Sequence, residues 1–362
     1  MAGNSSRRVG IVSGIRTPFL RSGTAFEKMT ATDLGAVAVR ELVARSDIEP
    51  ESIDELIYGA VIPSVERPNI GREVVFAAAL PFRTPAYSVI RACATSNQAI
   101  TDGADSIARG SAQTVVAGGA ECLSDVPVLF SRRFARRLVR ASRAKRSIDR
   151  LRAFRGLRPQ ELAPVAPAIA EYTTGLSMGQ SAEKMAKENK ISREAQDEFA
   201  LRSHRRAAAA WENGIFAKEV VPVPVAPDFA ELAMRDNNVR PDTSLEQMAK
   251  LPPVFDKKFG SVTAANSSPL TDGASAVLLM SEERARAEGR TVLAWIRSWA
   301  YSALDPSDQL LQGPAYAAPL ALDRAGLTLA DMGRVEMHEA FAAQVLSNLQ
   351  AFASPRFAQE KL

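Results

Sequence analysis

The sequence predicts an α/β fold in two domains. Short apolar runs of strand length alternate with helical stretches from residue 9 onward. The chain is rich in Ala and Val, with only 6% aromatic residues. Its 362 residues are 46% hydrophobic, enough to bury one large core or two medium ones.

The elements follow in order. Residues 9–13 read as a first strand, ended by Arg16-Thr17-Pro18. Residues 32–45 read as a helix with Leu34, Val37, Leu42 and Val43 on one side. Strands are expected at 53–61 and 87–90, with a helix over 72–79 between them. A helix over 95–109 puts Ile100, Ala104, Ile107 and Ala108 on one face, and a strand at 114–117 ends at Gly118-Gly119. This alternation predicts a mostly parallel, doubly wound sheet. After Glu121 the texture changes to a basic block, a proline patch (Pro164, Pro167) and a helix over 180–213. Residues 220–225 read as an edge strand because of Pro222 and Pro224, and regular texture resumes at Ala264 with a strand at 273–280.

Net charge is only +4, but residues 131–160 hold twelve Arg or Lys and one acid, Asp149, leaving the rest of the chain net acidic. Phe134, Leu138, Ile148, Leu151 and Phe154 recur among these arginines near helical spacing. Such a basic amphipathic segment suits a membrane surface or an acidic partner; a solvated helical hairpin is the plainer alternative. No nucleic-acid recognition motif accompanies the charge. Two cysteines, Cys93 and Cys122, make no disulfide framework and fit a reducing compartment. The apolar run 11–15 is too short for a signal-peptide core or a membrane span, so the expectation is a cytoplasmic protein, soluble or peripheral to a membrane.

The helix-loop-strand over 41–60 resembles the one over 320–339. Ile48 matches Leu327, Ile53 matches Met332 and Leu56 matches Val335, all at an offset of 279. Any α/β chain repeats such units; the sharper alternative is a duplicated fold. Under duplication the counterpart of Cys93 falls near position 372, past Leu362.

Cys93 follows the 87–90 strand and opens the next helix. Unpaired N–H groups there favour an anion, so a lowered thiol pKa and a nucleophilic thiolate are expected, and the same groups could hold an oxyanion. A lone cysteine is otherwise a small buried hydrophobe.

Four segments carry a family resemblance. Arg91-Ala92-Cys93-Ala94-Thr95-Ser96-Asn97-Gln98-Ala99 resembles the nucleophile motif of thiolases. Val116-Ala117-Gly118-Gly119-Ala120-Glu121-Cys122-Leu123-Ser124 resembles the strand and turn that follow it. Ala265-Asn266-Ser267-Ser268-Pro269-Leu270-Thr271-Asp272-Gly273-Ala274 resembles the family's Asn-Ser…Asp-Gly-Ala signature, and His338-Glu339-Ala340-Phe341-Ala342 its His-Glu-Ala-Phe-Ala motif. The last form and the basic insertion are most similar to the degradative branch found in fatty-acid-oxidation complexes. Ketoacyl synthases share the duplicated fold, but the Asp-Gly-Ala signature argues against them.

The resemblance implies duplicated α/β halves in an αβαβα layering, with residues 1–124 plus 264–290 as the first half and 291–362 as the second. Residues 125–263 would form an inserted CoA-binding lobe containing the basic segment 131–160. It implies an acyltransferase of fatty-acid β-oxidation that cleaves 3-ketoacyl-CoA through a Cys93 acyl-enzyme, with His338 stabilising the enolate. CoA is a substrate and no cofactor is expected. Met178, Arg240, Ala264, Ser268 and Phe341 fall where the family contacts CoA; His204 reads as a solvated helix residue and Cys122 as structural. A homodimer is implied, with a hydratase/dehydrogenase subunit as a further partner. The family also carries a Gly-His-Pro histidine and a Cys-x-Gly cysteine. Neither occurs here, where the histidines are His204 and His338. The expectation is a thiolase recorded short of its C-terminal part; the alternative is an inactive thiolase-like protein that binds CoA or a partner.

Overall fold

A computed structural model describes residues 7–165 and 170–362; Pro167 of the proline patch and residues 1–6 lie outside them. The chain enters through β1 (Val9–Arg16) and β2 (Leu20–Arg21) into α1 (Ala31–Ser46). Then come β3 (Glu55–Gly59), α2 (Ile70–Ala77), β4 (Ala86–Val89), α3 (Thr95–Ala108) and β5 (Thr114–Glu121). Helix α1 starts where Thr30 and Asp33 cap each other's backbone N–H groups. The middle of the chain contributes β6 (Leu129–Phe130), α4 (Arg132–Arg143), α5 (Ser147–Arg152), β7 (Pro164–Val165), α6 (Met178–Glu188), α7 (Arg193–Glu212), β8 (Val223–Pro224), β9 (Leu232–Ala233) and α8 (Leu245–Ala249). It closes with β10 (Thr271–Ser281), α9 (Glu282–Ala287), β11 (Ala294–Ile296), α10 (Gly313–Ala325), α11 (Ala342–Phe352) and α12 (Pro355–Lys361).

The main sheet runs β11-β1-β10-β5-β3-β4, with β2 also paired to β10. It is mixed, not mostly parallel. The crossover helices α2 and α3 make β3, β4 and β5 mutually parallel, while β10 enters antiparallel between β1 and β5. Strand period decides the two faces. Leu56 and Tyr58 of β3 pack with α1 residues Leu34 and Leu42; Ile57 packs with Ala104 and Ile107 of α3. The result is a helix–sheet–helix sandwich whose central strand β5 is buried almost throughout.

Gly118-Gly119 does not end β5, which continues to Glu121. A Cβ on Gly119 would meet Ser96 Oγ at 2.8 Å, and one on Gly59 would collide with Thr95 Cγ2. These two glycines let the first turn of α3 lie directly on the ends of β3 and β5.

Three other expectations change. The helix expected over 180–213 is two, because Lys190 takes φ 55° and Ser192 caps a new start. The edge strand expected at 220–225 is shorter: β8 pairs with β9, and Val220 makes only an isolated bridge to Arg16. Residues 334–337, the strand end of the helix-loop-strand read over 320–339, form no helix or strand.

The repeat survives in backbone detail. Helices α1 and α10 end at Ser46 and Ala325, followed by left-handed caps at Asp47 (φ 46°) and Gly326 (φ 66°). Single 3-10 turns follow at Pro50–Ser52 and Leu329–Asp331. Each pair is separated by the same 279 residues. The copies part company where β3 finds neighbours on both sides and its counterpart finds none: Leu56 is 0% exposed and Val335 54%.

Within the basic segment, α4 and α5 form a hairpin around Phe134 and Phe154, whose ring centroids lie 6.3 Å apart. Arg137 is spent inside it, donating to the Glu161 carboxylate (2.9 Å) and to the carbonyls of Ala153, Arg155 and Gly156. Phe134, Leu138 and Phe154 are half-buried, whereas Ile148 and Leu151 remain exposed among the arginines.

Candidate active site

Cys93 sits in the tight turn between β4 and α3. Ala92 before it takes φ 43°, a left-handed conformation costing a non-glycine residue about 1–2 kcal/mol. Thr95 holds the turn: its hydroxyl donates to Ala92 O at 2.6 Å and accepts from Arg91 N at 2.8 Å. The thiol is thereby presented outward, at the end of the sheet.

The expected electrostatics are corrected. Helix α3 begins at Thr95 with Ala94 as its cap, so Cys93 lies one residue outside the cap. Although the residue is exposed, the surrounding cavity wall desolvates its thiol and holds it above the ordinary value, with the Glu121 carboxylate adding to this; its own backbone N–H opposes it only in part. The helix terminus therefore does not by itself make a thiolate, and the thiol needs a proton acceptor. Alkylation of Cys93 by iodoacetamide is expected to be slower at pH 7 than for a free thiol and still rising above the ordinary cysteine range. A rate that levels off below pH 7 would refute the raised pKa.

His338 reaches the site on the segment 333–340, which, with the start of α11, is pinned to α7 and to the loop before β10. Ser203 Oγ on α7 donates to Glu339 Oε2 at 2.5 Å, Ser268 N donates to Ala340 O at 2.9 Å, and Ala342 N donates to Asn266 O at 3.0 Å. Burial pushes the His338 imidazole below its usual value, against a smaller upward pull from Glu339. It is neutral near pH 7 and can donate a hydrogen bond without carrying charge.

Cys93 and His338 line one cavity of about 730 Å³, together with Ser96, Glu121, His204 and Ser268. The Asn-Ser…Asp-Gly-Ala signature supports it from behind. Asn266 donates to Asp197 Oδ1 (2.9 Å) and Ser261 O (3.1 Å), while fully buried Asp272 accepts from Ser124 N and Oγ. Among the expected CoA contacts, Ser268 lines this cavity and Met178, Arg240, Ala264 and Phe341 do not. Met178 starts α6; Phe341 packs edge-on against Phe255 with centroids 6.1 Å apart; Ala264 and the Arg240 side chain are exposed.

Sequence reasoning missed three residues of the wall. Glu121 accepts from Val61 N (2.6 Å) and Ile62 N (3.2 Å), and burial raises its carboxyl. His204, expected as a solvated helix residue, lies on α7 but is half-buried: its Nδ1 accepts from Arg240 N at 3.3 Å, and burial and Arg240 lower its pKa. The polar run around it hid which face of α7 turns inward. Arg16, at the end of β1, was read only as a strand terminator. Cys122 is structural as expected in its contacts: buried, its thiol pushed up to about 12 mainly by burial, donating to Met29 O at 3.1 Å.

Comparison with known proteins agrees with the motifs. The family described as "Thiolase, N-terminal domain" matches residues 9–283, and "Thiolase, C-terminal domain" matches residues 290–360. A 3-ketoacyl-CoA thiolase of Yersinia enterocolitica is 52% identical over 355 residues, covering 98% of this chain and 81% of that protein. One from Erwinia tasmaniensis is also 52% identical, with the same coverage. Among solved structures, Bacillus anthracis acetyl-CoA acetyltransferase superposes with a TM-score of 0.86 at 30% identity, over 98% of this chain and 85% of that one. Human mitochondrial 3-ketoacyl-CoA thiolase in complex with CoA gives 0.82 at 33% identity, over 97% and 84%. Family matches spanning most of the chain, together with relatives about half identical over nearly all of it, establish that this chain belongs to the thiolase family of acyltransferases.

Proposed function

We propose that the protein cleaves 3-ketoacyl-CoA with CoA, giving acetyl-CoA and a shortened acyl-CoA in fatty-acid β-oxidation. The observation that carries this reading is the convergence of Cys93 and His338, from distant parts of the chain, on one cavity. The Cys93 sulfur, once deprotonated, attacks the 3-keto carbon. The bond between carbons 2 and 3 then breaks, acetyl-CoA leaves as an enolate that takes up a proton, and the acyl group stays on sulfur. The neutral His338 N–H faces the thioester oxygen where the enolate charge develops. A CoA thiol then takes the acyl group and releases Cys93. Incubation with a 3-ketoacyl-CoA should add one acyl mass to Cys93, removable by CoA; a protein that gains no acyl mass is instead the inactive CoA- or partner-binding form.

In this reading residues 125–263 form the CoA lobe of a body made from 1–124 with 264–290 and from 291–362. Ser268 contacts the pantetheine arm, and Arg240 the nucleotide end outside the cavity. The protein would work in the cytoplasm as a homodimer, alone or with a hydratase/dehydrogenase subunit, and sedimentation at a monomer's mass at micromolar concentration would exclude the dimer.

No helix among the described residues is long and apolar enough to cross a membrane. The basic hairpin suits a peripheral role, because Ile148 (51% exposed) and Leu151 (71% exposed) stand among exposed arginines, although Arg150 donates to Ala144 O and Arg152 pairs with Asp149. Vesicles rich in anionic lipid should pellet the protein at low salt, and Ile148→Asp with Leu151→Asp should abolish this. Equal pelleting with neutral vesicles would argue against a headgroup contact.

A further inference from the structure

One wing of the cavity is used by none of the steps above. It is built around Arg16, the last residue of β1, whose side chain is only 12% exposed. Its Nε donates to Glu219 Oε1 at 2.8 Å, and its Nη1 and Nη2 donate to the two oxygens of Asp236 at 2.8 and 3.1 Å. The guanidinium carbon stands 4.7 Å from the ring centre of Phe19 and 5.0 Å from that of Phe216. Phe19 belongs to the body of the fold; Phe216, Glu219 and Asp236 come from the middle of the chain. The clamp joins the two.

What it holds is residues 236–240, which have no helix or strand of their own. Asp236 also accepts from Phe19 N at 2.7 Å and Trp211 Nε1 at 3.3 Å, and Asn237 Oδ1 accepts from Arg21 N at 2.7 Å. At the far end, Arg240 N donates to His204 Nδ1. Between the two anchors Asn238 and Val239 face the cavity. A strand end in a seven-stranded sheet is a rigid post, and a planar fork with two carboxylates fixes direction as well as distance.

We propose that Arg16 is a positioning residue for the acyl-CoA: its two-carboxylate clamp sets residues 236–240 as the cavity wall against which the uncharged arm of the substrate lies. The proposal rests on reading the cavity as the acyl-CoA site. The charge balance selects the uncharged arm, since the charged groups by which this wing lines the cavity are Arg16, Glu219 and Asp236, two carboxylates against one guanidinium, while Arg235 and Arg240 lie outside that lining. Arg16 also pairs through its backbone, N to Glu219 O at 2.8 Å and O from Val221 N at 2.9 Å. Those bonds do not need its side chain, so its replacement frees the wall without undoing the join.

The test measures protection of Cys93 from iodoacetamide by S-methyl-CoA and S-methyl-pantetheine, which cannot react with the thiol. In Arg16→Gln, protection by both thioethers should weaken by about tenfold or more, while labelling of unliganded Cys93 stays within about twofold of the parent. Arg16→Lys, a point charge in place of a fork, should fall between, and Glu219→Gln, which removes one limb at a half-exposed position, should lose less. Unchanged protection in Arg16→Gln and Glu219→Gln overturns the clamp. So does a loss confined to S-methyl-CoA, or unliganded labelling that shifts as much as protection. If Arg16→Gln does not fold, Glu219→Gln with Arg16→Lys decides by the same measures. A parent protein that neither thioether protects overturns the acyl-CoA reading and the clamp with it.

Discussion

Cys93→Ala is expected to remove acyl-enzyme formation altogether, while Cys122→Ala leaves it intact. The two thiols differ in place, not in kind. Cys93 opens on the cavity; Cys122 is buried, donates to Met29 O and does not line that cavity. A covalent intermediate needs an atom to carry the acyl group, and alanine has none, so the loss is complete and not graded. Cys122→Ala removes a small buried side chain and a weak hydrogen bond, a stability cost of about 1–2 kcal/mol with no chemical cost. Mass spectrometry after incubation with a 3-ketoacyl-CoA reads both variants. Acyl mass persisting in Cys93→Ala, on whatever residue, would overturn the mechanism.

His338→Ala is expected to slow formation of the acyl-enzyme by about 10²–10³, the usual effect of removing one donor to a developing oxyanion. Substrate binding should change far less, because in the proposed mechanism the charge assigned to His338 arises only in the transition state. The pH profile should bear the same mark. The imidazole is held below its ordinary value by burial, so it stays neutral through neutral pH and gains its proton only below the usual histidine range. Activity that depends on the neutral form should fall there. Single-turnover kinetics in the parent and in His338→Ala separate the two effects, and a variant that loses affinity while keeping its rate would make His338 a binding group instead.

Much of this protein could be read without coordinates. The helix over 32–45, the strands at 53–61 and 87–90 and the helix from Thr95 were set by local period and capping, and each formed within a few residues of its expected bounds. The offset of 279 read from three residue pairs turned out to hold for helix ends, left-handed caps and 3-10 turns, because those features are also local.

Strand direction was not local. β10 lies far along the chain from β1 and β5, and only packing placed it between them antiparallel, which made the sheet mixed. Residues 334–337 have a strand's composition, yet a strand needs neighbours for its N–H and C=O groups, and these found none. Cys93, His338 and Ser268 were legible as candidates because they stand in motifs, and the fold brings all three to one cavity. The state of the thiol was not, since burial and the Glu121 carboxylate outweigh the favourable end of a helix that begins two residues later. Nor were His204 and Arg16. One lay in a charged run and the other at a strand end, and what each does depends on partners more than thirty and two hundred positions away. Sequence alone determined the family and the order of the first strands and helices, and it singled out Cys93, because those rest on residue identity and short-range periodicity. Tertiary structure alone decided the direction of the sheet, the protonation of its groups and the far wall of the cavity, because those depend on which distant side chains share one small, poorly solvated space.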